Sequence, residues 1–344
     1  MTTKIAIVQK PPVLLDLART IAQVLEAVDE AAANGAQLVV FPEAYLPGYP
    51  TWIWRLRPGG DMSLGNELHA RLRANSVNIA GGGLAEICDA AARHNIVLVI
   101  GLNELDAEFS GTTLFNTVVV IGADGTILNR HRTLMPTNPE RMVWGAGGAS
   151  GLRVVDTPVG RIGCLLCWES YMPLARFALY AQAIDIYIAP TWDSGETWVA
   201  SMNHIAREGG CWVLSTATAM QGSDIPESFP SKAQLFDNDE WINPGGAVVV
   251  KPFGGVVEGP MINEKGILYS QIDIEDARNA RKSLDIAGHY GRPRRAAKRV
   301  GNCDSIPRCH LAEPSKQGLG HRFIDRAFHS SQATFGHRFS IVGH

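Results

Sequence analysis

The chain has 344 residues, is 46% hydrophobic and 19% charged, and carries a formal net charge of −3. That is ordinary globular composition, with length for one large or two modest domains. The small negative charge excludes nucleic acid or a membrane surface as partner for the body of the protein, and no apolar run reaches the roughly 18 residues a membrane helix needs.

A strand pattern begins almost at once, over residues 4–9, with no signal peptide ahead of it. Leu17, Ile21, Val24, Leu25, Val28 and Ala32 then fall at helical spacing, and Asn34-Gly35 stops them. Residues 38–41, Leu-Val-Val-Phe, form a continuous apolar strand, buried on both faces of a sheet, that runs into Pro42-Glu43. An aromatic loop from Tyr45 to Trp54 follows. The second helix is placed on Leu84, Ile87, Cys88 and Ala91, and the next strand on 96–101. Strands over 115–121 and 126–130 flank the hairpin turn Gly122-Ala-Asp-Gly125.

The second half repeats that order. A strand ends at Cys167, and a helix spans 173–182 from Pro173. A strand over 184–190, a helix over 197–209 and a strand over 211–217 come next. Residues 246–251 and 255–258 flank the turn Pro252-Phe-Gly-Gly255, before a last strand over 267–272 and a helix over 275–286. Two such halves imply an α/β protein of two mixed sheets packed face to face with helices outside, a four-layer α-β-β-α sandwich. Beyond Pro293 periodicity fades. The segment 294–344 opens with Arg294, Arg295, Lys298 and Arg299, holds five of the ten histidines, and reads as a mobile extension of a domain spanning 1–293.

Chemistry concentrates in Arg161-Ile-Gly-Cys-Leu-Leu-Cys167-Trp-Glu-Ser-Tyr171. A thiol at the end of a buried strand, just ahead of a helix, is well placed as a nucleophile, because nearby backbone amides lower its pKa and stabilise negative charge. A single buried cysteine is otherwise a small core hydrophobe, and Cys164-Leu-Leu-Cys167 has the spacing of half a metal site or a redox pair. Glu43 ends a strand in the first half much as Cys167 does in the second, the position for a general base. Such an acid also serves as a hydrogen-bonded structural residue. The aromatic loop, with Tyr49, and Thr191-Trp192 after the strand beyond Cys167 are placed to line an apolar pocket, or to pack as core and surface.

Four ordered motifs resemble the nitrilase superfamily: Phe41-Pro-Glu43-Ala-Tyr-Leu-Pro-Gly-Tyr-Pro50, His131-Arg-Thr-Leu-Met-Pro-Thr137, Glu140-Arg-Met-Val-Trp-Gly145 and Cys167-Trp-Glu169. The resemblance covers residues 1–293, and the Cys-Trp-Glu form is that of the true nitrilase branch. Gly288-His-Tyr-Gly-Arg-Pro293 resembles the closing motif of that branch. It implies a Glu-Lys-Cys triad, in which Cys167 attacks a nitrile carbon to give a thioimidate and Glu43 is the general base. Ammonia then leaves and the thioester is hydrolysed. Glu140 is implied as the orienting second glutamate, and the Trp168 amide as a donor to developing negative charge. The lysine of the triad falls on Thr133, and Arg132, facing the other way on a strand, does not replace it. Ala146 and Gly148 also depart from the Trp-Gly-Gln-Gly-Asp usual in nitrilases.

The expected protein is a nitrilase of weakened or altered catalysis, acting on a small organic nitrile without cofactor or metal. The rivals are an amidase-type hydrolase using the same cysteine and a catalytically silent binding or assembly protein. Cys303, Cys309 and His310 are not expected to hold a metal. Six cysteines without a secretion signal point to a reduced, cytoplasmic setting, and the resemblance implies a homodimer or larger homo-oligomer.

Overall fold

Ile5 and Ile7 leave the first strand on one face, Ala6 and Val8 on the other, and the two pairs enter different cores. This period of two sets the layers of the protein. The computed structural model describes residues 2–108 and 110–291. The expectations placed on 294–344 and on Pro293 lie outside the described residues.

In chain order the elements are β1 (Thr2–Val8), α1 (Leu17–Ala33), β2 (Leu38–Val40), α2 (Met62–Ala74), α3 (Ala85–His94), β3 (Val97–Leu105), β4 (Leu114–Ile121) and β5 (Ile127–Arg132). Then come β6 (Val155–Thr157), β7 (Gly160–Cys164), α4 (Pro173–Tyr180), β8 (Ile186–Thr191), α5 (Glu196–Gly209), β9 (Trp212–Ala217) and β10 (Ala219–Gln221). A short α6 (Lys232–Leu235), β11 (Trp241–Val250), β12 (Val256–Ile262), β13 (Ile267–Asp273) and α7 (Ile274–Ser283) close the described chain.

One sheet has the order β13-β1-β2-β3-β4-β5, the other β10-β11-β9-β8-β7-β6 with β12 on β11. Each is parallel at its centre, β1-β2-β3 and β7-β8-β9, with antiparallel strands outside. The sheets meet through Ile5, Ile7, Val40 and Val99 on one side and Ile162, Ile188 and Leu214 on the other. Val24, Val28 and Ile87 of α1 and α3 cover the outer face of the first sheet. Leu179, Trp198 and Met202 of α4 and α5 cover that of the second. The result is the four-layer α-β-β-α sandwich. Asp16 caps α1, its carboxylate accepting from the Arg19 amide at 3.0 Å, a bond worth about 1 kcal/mol.

Three local readings are corrected. Helix α2 has no counterpart in the apolar periodicity, because only Leu68 and Leu72 of it are buried. Strand β3 runs on to Leu105 because the polar Asn103 and Glu104 are buried within it. The strand before Cys167 stops at Cys164, and Cys167 opens a 3₁₀ turn over Cys167–Tyr171.

Candidate active site

Strand β2 ends inside the molecule, and the chain turns sharply at Pro42-Glu43-Ala44, with Ala44 at φ 48°. The turn packs on β3 at Gly101, where a Cβ would lie 2.3 Å from the Pro42 carbonyl oxygen. Glycine there lets the backbones meet and delivers Glu43 to the C-terminal end of the sheet. The Glu43 carboxyl is 1% exposed. Its Oε1 accepts from Asn116 Nδ2 at 2.6 Å.

Cys167 is reached differently. After β7, Leu165 and Leu166 continue into the turn, and Cys167 takes φ 48°. A left-handed conformation costs a residue with a Cβ about 1–3 kcal/mol, and such strain collects at functional sites. Glu169 fixes the turn. Its Oε2 accepts from the Leu166 amide at 2.8 Å and pairs with His131 Nε2 at 2.9 Å. Its Oε1 accepts from the Leu134 amide at 2.6 Å. The thiol of Cys167 accepts from Thr191 Oγ1 at 3.2 Å. Trp168 follows in the first turn, where backbone amides lack intrahelical acceptors. Its indole donates to Asp193 Oδ2 at 2.8 Å.

Thr133 lies just past β5. The register Thr117↔Arg132 and the Thr133 amide on the Asn116 carbonyl, 2.8 Å, make Asn116 and Thr133 the next cross-strand pair. Paired residues share a face, so Thr133 stands on the side from which Asn116 reaches Glu43. The alternate face carries Thr117 and Arg132, both bonded to the buried Glu104. The Arg132 guanidinium also lies 3.8 Å from the Phe115 ring centroid. Arg132 is thus committed away from the thiol. A Cβ at Gly147 would lie 2.5 Å from the Arg132 carbonyl oxygen, so the glycine-rich segment must pass close behind Thr133.

Above Cys167 a cavity of about 310 Å³ is lined by Tyr49, Trp54, Glu140, Trp168, Trp192 and Asp193 among others. The Tyr49 ring stacks on Trp192 at 4.3 Å, and its hydroxyl donates to Glu140 Oε1 at 2.5 Å. Glu140 Oε2 accepts from the Thr137 amide at 2.6 Å, closing a capping box. Glu43 and Thr133 do not line the cavity; they lie buried to its side. A larger hollow of about 730 Å³, along Arg130, Ala146 and Gly148, lacks every one of these groups.

Burial, reinforced by the Glu140 carboxyl, holds Glu43 well above the ordinary carboxylate range, against the opposing pull of Asn116 and Cys167. Burial also raises the Cys167 thiol well above its usual value, helped by Glu43 and Glu140, while Thr191 and the Trp192 amide pull it down. Burial likewise raises Glu140. Among the described residues no cation is a leading influence on any of the three. The arrangement can hold a proton between Glu43 and Cys167 and present the thiol to a neutral molecule in an aromatic pocket.

Several residues here were not singled out from sequence. Asn116 and Asn103 are polar side chains inside otherwise apolar strands, which is the signal that marks them. Asn103 donates to the Gly48 carbonyl at 3.0 Å and accepts from Trp144 Nε1 at 2.9 Å, fastening the aromatic loop. His131 and Glu169 sat inside quoted motifs without a role. Cys164 and Cys167 are free thiols, and Cys164 packs between the sheets. Among the described residues no group of three or more His, Cys, Asp or Glu side chains could hold a metal ion.

Comparison with known proteins gives a consistent result. The family model for carbon-nitrogen hydrolases matches residues 4–282. Nitrilase 1 of Arabidopsis thaliana is 37% identical over 297 residues, 85% of each chain. An aliphatic nitrilase of Sinorhizobium fredii (strain HH103) is 39% identical over 289 residues, 84% of this chain and 92% of that protein. The crystal structure of a carbon-nitrogen hydrolase from Helicobacter pylori G27 superposes with a TM-score of 0.64 at 20% identity, over 87% of this chain and 98% of that one.

Proposed function

The chain belongs to the carbon-nitrogen hydrolase family, within the nitrilase superfamily, and from that premise we propose that it is a nitrilase with Cys167 as nucleophile. The observation that carries this reading is a strained, buried thiol beneath an aromatic cavity, beside a buried carboxyl whose proton is held tightly. In its ionised form Glu43, its affinity for a proton raised by burial, takes the thiol proton as sulfur bonds to the nitrile carbon, and that proton passes to nitrogen, giving a thioimidate. Water, deprotonated by Glu43, adds to that carbon; both its protons pass to nitrogen, which leaves as ammonia as the C–N bond breaks and a thioester carbonyl forms. A second water hydrolyses the thioester, releasing the carboxylic acid and restoring the thiol. The Trp168 amide holds the developing negative charge, and Glu140, fixed by Tyr49 and Thr137, orients the site.

Cys167 and Trp168 border the cavity together with Tyr49 and Trp192, while Thr191 holds the sulfur. Thr133 offers a hydroxyl where the resemblance expects a cation, so turnover is low; losing one main electrostatic donor costs about 10²–10³ in rate. The same residue favours a second reading, a silent nitrilase fold kept for binding or assembly. The hydrolase unit spans 1–293, uses no cofactor, works in the cytoplasm and associates at least as a homodimer. The test is ammonia release from paired nitriles and amides by the protein and by Cys167→Ala. Release from nitriles, lost in the variant, supports a nitrilase. Release from amides alone makes it an amidase, and silence on both leaves the binding reading.

A further inference from the structure

Two buried acceptors near Cys167 lack a donor among the described residues. Glu43 Oε2 and Asn116 Oδ1 are shielded from solvent and meet no hydrogen-bond donor among the described residues. Each side chain is only 1% exposed. The two atoms occupy the second branches of side chains joined through their first, Asn116 Nδ2 to Glu43 Oε1 at 2.6 Å. Thr133, paired with Asn116 across β4 and β5, stands on the same face. Buried polar atoms are nearly always paired, so two neighbouring orphans of the same kind call for a partner. An amide oxygen accepts only, and so does a carboxyl oxygen once Glu43 has given up its proton. Their partner must donate or coordinate, and the Glu43 carboxylate favours one that is positive. One carboxylate balances one positive charge and not two, and magnesium gives up its waters reluctantly.

We propose that Glu43, Asn116 and Thr133 form a binding site for one monovalent cation of ammonium or potassium size. The bound ion supplies the positive charge that a threonine hydroxyl lacks. With it seated, Glu43 stays ionised and ready to take the Cys167 proton, and the thiolate is favoured. The catalytic consequence rests on the hydrolase reading above; the binding itself does not.

The experiment is alkylation of Cys167 by iodoacetamide in the full chain at neutral pH and fixed ionic strength, in choline, potassium or ammonium chloride. The expected result is a several-fold, saturable acceleration over choline. Acceleration by potassium and ammonium alike supports a coordination site, and by ammonium alone a hydrogen-bonding one. Thr133→Lys, which carries its own ammonium group, should alkylate quickly in choline and gain nothing from either salt. As a readout that does not depend on that variant, potassium or ammonium should raise the melting temperature of the protein but not of Glu43→Gln. Equal alkylation rates and melting temperatures in all three salts overturn the proposal. Nitrile turnover in the same salts separates the two ideas. Cation-dependent alkylation without turnover keeps the site and removes the hydrolase reading. Turnover with salt-independent alkylation does the reverse.

Discussion

Gly101→Ala tests whether the close approach of β3 fixes the position of Glu43. A Cβ at this position would lie 2.3 Å from Pro42 O, 2.6 Å from Ala44 N and 2.7 Å from Glu43 Cα. All three atoms are backbone, so no side chain can swing aside. Ordinary contact begins at 3.4 Å, so the tightest pair must separate by 3.4 − 2.3 = 1.1 Å. Overpacking of this kind costs about 1–3 kcal/mol. A misplacement of ~1 Å at a reacting group costs about 10²-fold in rate. Urea unfolding and nitrile turnover measure the two effects on one preparation. The control is Gly148→Ala, at φ −122° with nothing within 4 Å of its Cβ. It should stay within about 0.5 kcal/mol of the parent. Undiminished turnover in Gly101→Ala would refute the claim that this contact sets the Glu43 geometry.

Other outcomes follow from the same geometry. Glu169→Ala leaves the Leu134 and Leu166 amides and His131 Nε2 without their acceptor; at about 1–3 kcal/mol per stranded group, the loss in urea unfolding should be at least ~3 kcal/mol, and a loss below 1 kcal/mol contradicts the assigned role. Because burial raises Glu43 above its ordinary 4.5, its proton is held more tightly in the folded protein than in the unfolded chain. The stability it contributes is complete below that value and is lost as pH rises through the folded pKa. In choline buffer, therefore, Glu43→Gln should gain on the parent as pH climbs from acid toward neutral, and a pH-independent difference speaks against the shift. Thr133→Lys should raise nitrile turnover by about 10²–10³; no gain means another group already stabilises the charge. Among the described residues the cavity carries Glu140 and Asp193 beside aromatic rings and no lysine or arginine, so neutral aryl and arylaliphatic nitriles should be hydrolysed in preference to nitriles bearing a carboxylate.

The layers were legible because the central strands are buried on both faces. Residues 38–41 and 96–101 read as apolar runs, and α1 and α3 showed apolar residues at helical spacing. The Asn34-Gly35 stop and the Gly122–Gly125 turn also stand where their chemistry puts them. Helix α2 was not legible, because most of it faces outward and its helical character comes from context. The end of β3 was hidden by Asn103 and Glu104, whose polarity is offset by bonds to residues far along the chain. The turn at Cys167 was hidden for a related reason. Its left-handed residue is held by Glu169 reaching to Leu166, Leu134 and His131, and no local pattern encodes that set. Cys167 and Glu43 stood out as residue types at strand ends. Asn116, which joins Glu43 to the Thr133 position, became visible only when β4 and β5 were laid side by side.

Cys167 as the nucleophile is tested by intact-protein mass spectrometry during turnover of an arylacetonitrile, with ammonia measured in parallel, for the parent chain and Cys167→Ala. A covalent adduct that maps to Cys167 and ammonia release are expected from the parent, and neither from the variant. Ammonia release that survives Cys167→Ala, or an adduct on another residue, would contradict that role.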